Sequence, residues 1–166
     1  MSTLPAILVT AAGVLLIAVA VRDVFDALFH EVGKVVLGHA VIRAVWGFVR
    51  SLARRREGLV VIAGPLALGA VVASWALLMV VGWALVYWPH MPDSFNFGLG
   101  VGSKGGFLDA LYLSLVSLST LGFGDITPGA HVLRLITPLE ALIGFGLLTA
   151  SISWLLSVYP VLARRR

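Results

Sequence analysis

Apolar residues run along this chain in long unbroken blocks rather than alternating with polar ones. Leu4 to Val21 carries no charge, and neither does Leu59 to Trp88. A third block, Val132 to Val158, is interrupted only by Arg134 and Glu140. About 20 mostly apolar residues cross ~30 Å of hydrocarbon as a helix, so each block predicts a transmembrane helix. A fourth apolar stretch, Phe107 to Leu118, is too short to cross and predicts a re-entrant helix.

The polar segments between these blocks differ in kind. From 22 to 57, apolar residues recur at Val24, Leu28, Val32, Val35, Ile42, Val45, Val49 and Leu52. Asp23, Asp26, His30, Lys34, Arg43 and Arg50 fall largely elsewhere on the wheel. This spacing predicts one or two amphipathic helices, broken near Gly33 or Gly38. They lie either along the inner membrane face or against the cytoplasmic end of the bundle. Met91 to Gly106 is rich in Gly, Ser, Asn and Pro and predicts an extracellular loop.

Composition agrees with the pattern. Of 166 residues, 60% are hydrophobic and 12% charged, with a mean hydropathy of +1.02. A soluble domain carries roughly twice that charge. The chain therefore reads as an integral membrane protein. Cysteine is absent, which excludes disulfides and thiolate-bound metals. His30, His39, His90 and His131 show no metal-ligand spacing with acids, and no nucleophile–base pair suggests an enzyme.

The net charge of +4 does not point to nucleic acid, because the basic residues flank the apolar blocks. Arg22, Lys34, Arg43, Arg50, Arg54, Arg55 and Arg56 lie between the first and second blocks, and Arg164, Arg165 and Arg166 follow the third. Only Lys104 and Arg134 lie between the second and third. Lys and Arg favour the cytoplasmic side. The 22–57 segment and the C-terminus are thus expected inside, and the N-terminus outside, in a multi-pass plasma-membrane protein. Arg50, Arg54, Arg55, Arg56, Arg164, Arg165 and Arg166 would meet anionic headgroups. Trp83, Tyr87 and Trp88 cluster at the outer end of the second block, where an aromatic belt is expected. Ala18-Val19-Ala20 has the form of a signal-peptide cleavage site, but no basic residue precedes the apolar run, so the first block reads as a retained span.

The chemistry sits after the short helix. Ser119-Thr120-Leu121-Gly122-Phe123-Gly124-Asp125 is followed by Ile126-Thr127-Pro128-Gly129. Irregular backbone at membrane depth is tolerated only inside protein or along a wet path. Two glycines flanking one aromatic residue permit backbone angles closed to other residues. Successive carbonyls can then face one axis and replace the water shell of a cation.

These residues resemble the pore domain of the potassium channel family, from about Leu59 to Pro160. The family's T-V-G-Y-G-D filter stands here as Thr120-Leu121-Gly122-Phe123-Gly124-Asp125. The resemblance implies K+ sites at the carbonyls of Thr120, Leu121, Gly122 and Phe123, with Gly124 completing the turn. It also implies that the Thr120 hydroxyl closes the innermost site and that Asp125 sits at the outer mouth. Tyr112 is a plausible partner for Asp125. Phe123 lacks the phenol that often bonds the pore helix, and Val116 stands where some members carry an acid. Gly144-Phe145-Gly146-Leu147-Leu148-Thr149-Ala150-Ser151 resembles the inner-helix pattern. Gly144 and Gly146 are candidates for a hinge or for close packing, and Thr149 and Ser153 share a face that could line the cavity.

The expected architecture is all-α: three transmembrane helices, a re-entrant pore helix and a selectivity-filter loop, assembling as a homotetramer. Its parts are an N-terminal transmembrane helix (1–22), a basic cytoplasmic segment (23–57), a pore domain (58–160) and a basic tail (161–166). Within the pore domain lie the outer helix (59–88), loop (89–106), pore helix (107–118), filter (119–125) and inner helix (132–158). Glu140, an ionisable group within a span, marks a function or a buried partner. It either braces the filter through Ser117 or Ser119, or tunes gating by its protonation.

A potassium-selective channel with K+ as permeant ion and no cofactor is the expected function. A non-selective cation channel and a non-conducting accessory subunit are the alternatives. The six residues after Pro160 supply no nucleotide- or calcium-binding domain, and no span has regularly spaced arginines. Weak voltage dependence is expected, with lipid, tension or pH as candidate stimuli.

Overall fold

The computed structural model describes residues 3–29, 43, 59–98 and 105–163. The described residues form four α-helices: α1 (Thr3–Phe29), α2 (Leu59–Tyr87), α3 (Phe107–Leu118) and α4 (His131–Ala163). Three hold stretches long and apolar enough to cross a membrane, namely Leu4–Ala27, Leu68–His90 and His131–Trp154. The short α3 is the expected re-entrant element. The all-helical expectation needs one addition. Within the 89–106 segment and just after residue 125, β1 (Phe95–Phe97) pairs antiparallel with β2 (Ile126–Pro128). Phe95 faces Pro128, and Phe97 faces Ile126.

The chain divides into two compact units. The first comprises Met1–Ala20 and Leu77–Leu148. Here α1 meets α2 at two facing glycines. A Cβ on Gly13 would lie 2.5 Å from the Gly82 carbonyl oxygen, and a Cβ on Gly82 would lie 2.8 Å from the Ile17 side chain. Small residues let helix backbones approach closely in lipid, where burial of apolar area drives little association. At its far end α2 passes into a 3-10 turn, Trp88–His90. The core of this unit gathers there, with Trp83, Tyr87, Met91, Phe95, Leu113 and Leu133 among its buried members.

Trp83 and Tyr87 do not form the expected lipid-facing belt. They are buried and stacked, ring centroids 5.8 Å apart. Tyr87 reaches a polar partner there, the carboxyl group of Glu140. Trp88 is half-buried and packs edge-on against Phe107.

The second unit comprises Val21–Ala76 and Thr149–Arg166. The first helix, expected over 1–22, runs without a break to Phe29. Charges enter the helix without ending it because they find partners. Arg22 lies 3.7 Å from Asp26, one turn on. Asp23, expected on a polar cytoplasmic face, is buried and accepts a hydrogen bond from the Trp75 indole at 2.8 Å. Trp75 in turn meets Trp154 edge-on at 5.5 Å. The break expected near Gly33 or Gly38, and the lipid contacts expected at Arg50, Arg54, Arg55, Arg56, Arg164, Arg165 and Arg166, lie outside the described residues.

The inner helix, expected over 132–158, begins one residue earlier and continues through Pro160 to Ala163. Its covered face carries Leu133, Glu140, Gly144, Leu147 and Ser151, a spacing of whole and half heptads that keeps one side inward. Gly146, Thr149 and Ser153 fall on the opposite, exposed side.

Candidate functional site

The segment 119–125 leaves the C-terminal end of α3, and its amides turn back onto that end. The Thr120 N–H donates to the Ser117 carbonyl at 2.9 Å. The Leu121 N–H donates to the Val116 carbonyl at 3.0 Å, and the Gly122 N–H to the same oxygen at 3.4 Å. In a trans peptide the N–H and C=O point in opposite directions. The carbonyls of Thr120 and Leu121, which share those peptides, are therefore aimed away from α3.

Backbone angles extend this arrangement. Thr120, Gly122 and Gly124 have φ of +60°, +56° and +75°, while Leu121 and Phe123 stay on the negative side. Alternation in the sign of φ can bring successive amides to one side of the chain, as in a nest. Carbonyls then fall on the other side. Two of the left-handed positions are glycine, for which the conformation costs little. Thr120 adopts it as well, with its side chain exposed. The C-terminus of α3 adds partial negative charge beside this row, which favours a cation.

The far end of the segment is held separately. Asp125 accepts a hydrogen bond from the Tyr112 hydroxyl at 2.7 Å. Its own carbonyl accepts the Gly98 amide at 2.7 Å, next to the β1–β2 ribbon. The hydrogen bond to Asp125 raises the Tyr112 phenol above its ordinary value, so the donor keeps its proton. Ser119 remains at the junction with α3, where its hydroxyl lies 3.3 Å from the Val116 carbonyl.

Behind the segment lies Glu140. Its partners are not Ser117 or Ser119. One carboxyl oxygen accepts the Ser114 hydroxyl and the other the Tyr87 hydroxyl, each at 2.6 Å. All three side chains are fully buried. Ser114 and Ser117 both lie on the covered face of α3, and Glu140 meets Ser114, while Ser119 lies beyond the last turn. At the outer end of its apolar block Tyr87 reads as an interfacial anchor, and its spacing from Glu140 along the chain carries no signal of the pair.

Gly144 sits one turn beyond Glu140. A Cβ there would run into the Leu118 carbonyl, the last residue of α3. Gly144 is thus a close-approach residue. Gly146 has open space around its Cβ position. Thr149 and Ser153 are exposed on one face of α4.

Comparison with known proteins bears on this arrangement. The ion channel family model matches residues 73–159, just over half the chain. A membrane protein of Bacillus subtilis (strain 168), YdjJ, is 28% identical over 158 residues, covering 93% of this chain and 45% of that protein. Two-pore potassium channel 2 of Arabidopsis thaliana is 38% identical over 69 residues, 42% of this chain and 14% of that one. Two pore potassium channel c of Oryza sativa subsp. japonica is 33% identical over 81 residues, 49% of this chain and 17% of that one. The matches span less than half the length of these relatives. No solved structure matches the chain. With the family model extending from α2 through the 119–125 segment into α4, the chain belongs to the ion channel family.

Proposed function

We propose that this chain forms a potassium-selective pore as a homotetramer in the plasma membrane. The observation that carries the reading is the backbone of 120–124, with φ alternating in sign and amides drawn back onto α3. One such row cannot surround an ion. Several copies facing a common axis can, and cyclic symmetry is the usual solution for identical chains. K+ would pass between the carbonyls of Thr120, Leu121, Gly122 and Phe123, which replace its hydration shell. The Thr120 hydroxyl would close the innermost site. Gly124 and Asp125 would form the exit, and Ser119 the joint with the pore helix. Thr149 and Ser153 would face the cavity below.

The exposed side of the 119–124 segment in a single chain supports assembly, because polar backbone at membrane depth must face protein or water. The asymmetry of Lys and Arg supports an N-terminus outside and a C-terminus in the cytoplasm. The basic residues of 22–57 and the C-terminal arginines would meet anionic lipid.

Flux into proteoliposomes tests the reading. Radioactive rubidium or K+ should enter, Na+ should not substitute, and Ba2+ should block. Equal Na+ flux would indicate a non-selective channel, and no flux an accessory subunit.

A further inference from the structure

We infer that Glu140 is a positioning residue for the filter, acting through a two-point junction between α4 and α3 that Tyr87 anchors to α2. The inference rests on the channel reading above and deepens it.

The junction has a definite register. Ser114 and Leu118 are four residues apart on α3, and Glu140 and Gly144 are four residues apart on α4. Residues four apart lie on the same helix face, one turn from each other. Ser114 meets Glu140 by a hydrogen bond of 2.6 Å, and Leu118 meets Gly144 by backbone contact. One contact fixes helix rotation through a directional bond. The other fixes separation, since no side chain fits between the helices there. Together they leave α3 little freedom to slide or roll on α4.

The filter hangs from this fixed helix. Val116 and Ser117, which receive the amides of Thr120, Leu121 and Gly122, lie between the two contact points on α3. A shift of α3 therefore moves the peptides whose carbonyls face the ion path. Tyr87 makes the third attachment, donating to the second carboxyl oxygen at 2.6 Å. One carboxyl group thus joins three helices. In an apolar surrounding each lost partner leaves a buried polar atom unpaired, which strengthens the constraint.

The chemistry also says which substitution preserves it. Both hydroxyls donate to Glu140, so the side chain serves as a double acceptor. Gln keeps the shape and one acceptor, and either hydroxyl can turn to accept from its amide. Ala removes both attachments. Ser114→Ala removes only the link to the pore helix and is the smaller perturbation.

The test uses the full chain in liposomes with two readouts, amide exchange at 120–122 and the K+/Na+ permeability ratio. Ser114→Ala and Glu140→Ala should speed exchange of the Thr120, Leu121 and Gly122 amides by on the order of tenfold while sparing those of α1. Both should lower the permeability ratio, the double variant should be no worse than Glu140→Ala, and Glu140→Gln should restore both readouts. A general packing role would loosen α1 along with the filter and would not be rescued selectively by Gln. Unchanged filter exchange in Ser114→Ala overturns the inference, whatever the wild type conducts. If exchange responds as expected but the wild type passes Na+ as readily as K+, the junction stands and the selectivity reading fails.

Discussion

The indole nitrogen of Trp75 donates to a carboxyl oxygen of Asp23 at 2.8 Å, and both side chains are buried. A buried acid within an apolar helix is costly unless satisfied, so this bond secures the inner part of α1. Asp23→Ala and Trp75→Phe should each destabilise the protein by about 1–3 kcal/mol. Asp23→Asn, which keeps an acceptor oxygen, should cost less. Thermal unfolding in detergent measures the order, and equal losses for Ala and Asn at position 23 would contradict it.

Gly122 and Gly124 hold left-handed angles with open space where a Cβ would sit. Alanine would therefore strain the backbone rather than clash. The cost is roughly 1–2 kcal/mol per residue. Gly122→Ala and Gly124→Ala should leave the helical content of the protein intact and abolish selective rubidium uptake. Circular dichroism and flux on the same samples separate these effects.

Tyr112 and Asp125 predict a pH dependence. Hydrogen bonding to Asp125 favours the neutral phenol and raises its pKa from the ordinary value of about 10. The bond's contribution is complete below that ordinary value and is lost as pH rises through the raised one. Tyrosinate absorbance, taken as the difference between wild type and Tyr112→Phe, should show this late titration. Asp125→Asn should move it back toward the ordinary value.

The two glycines of α4 predict a contrast. Gly144→Ala drives a methyl group into the Leu118 carbonyl and should cost about 1–3 kcal/mol through overpacking. Gly146→Ala meets nothing among the described residues and should be neutral or stabilising by up to about 1 kcal/mol, because alanine is the better helix former. Thermal stability of the two variants decides this, and equal behaviour would be incompatible with the close approach at Gly144.

The spans and the re-entrant helix were legible because hydrocarbon thickness sets their length directly. The left-handed turns at Gly122 and Gly124 were legible because they meet a backbone demand that no other residue meets cheaply. Tertiary pairing was less accessible. Glu140 announced a buried partner but not its identity: Ser117 and Ser119 were the expected partners, and the docking of α3 on α4 brings Ser114 to the carboxyl group instead. Tyr87 looked like an interfacial anchor because an amphipathic ring serves equally well at a membrane surface and in a core with a polar contact. Asp23 looked like part of a solvated face because helical periodicity records which residues share a side, not what covers it. The β1–β2 ribbon was missed because strands of three residues, within a stretch rich in glycine and proline, carry no measurable alternation.

That ribbon closes the neck of the pore loop. Ser94 and Gly129 are joined by a backbone hydrogen bond of 2.8 Å, and Gly98 and Asp125 by one of 2.7 Å. The short helix and the filter are therefore enclosed by main-chain bonds that depend little on side-chain identity. Such a loop behaves as a cassette. Cut outside Ser94 and Gly129, it brings its own closure, so exchange between related chains should transfer the filter together with the fastening that holds its exit, while Glu140 and Tyr87 remain behind as the socket that receives it.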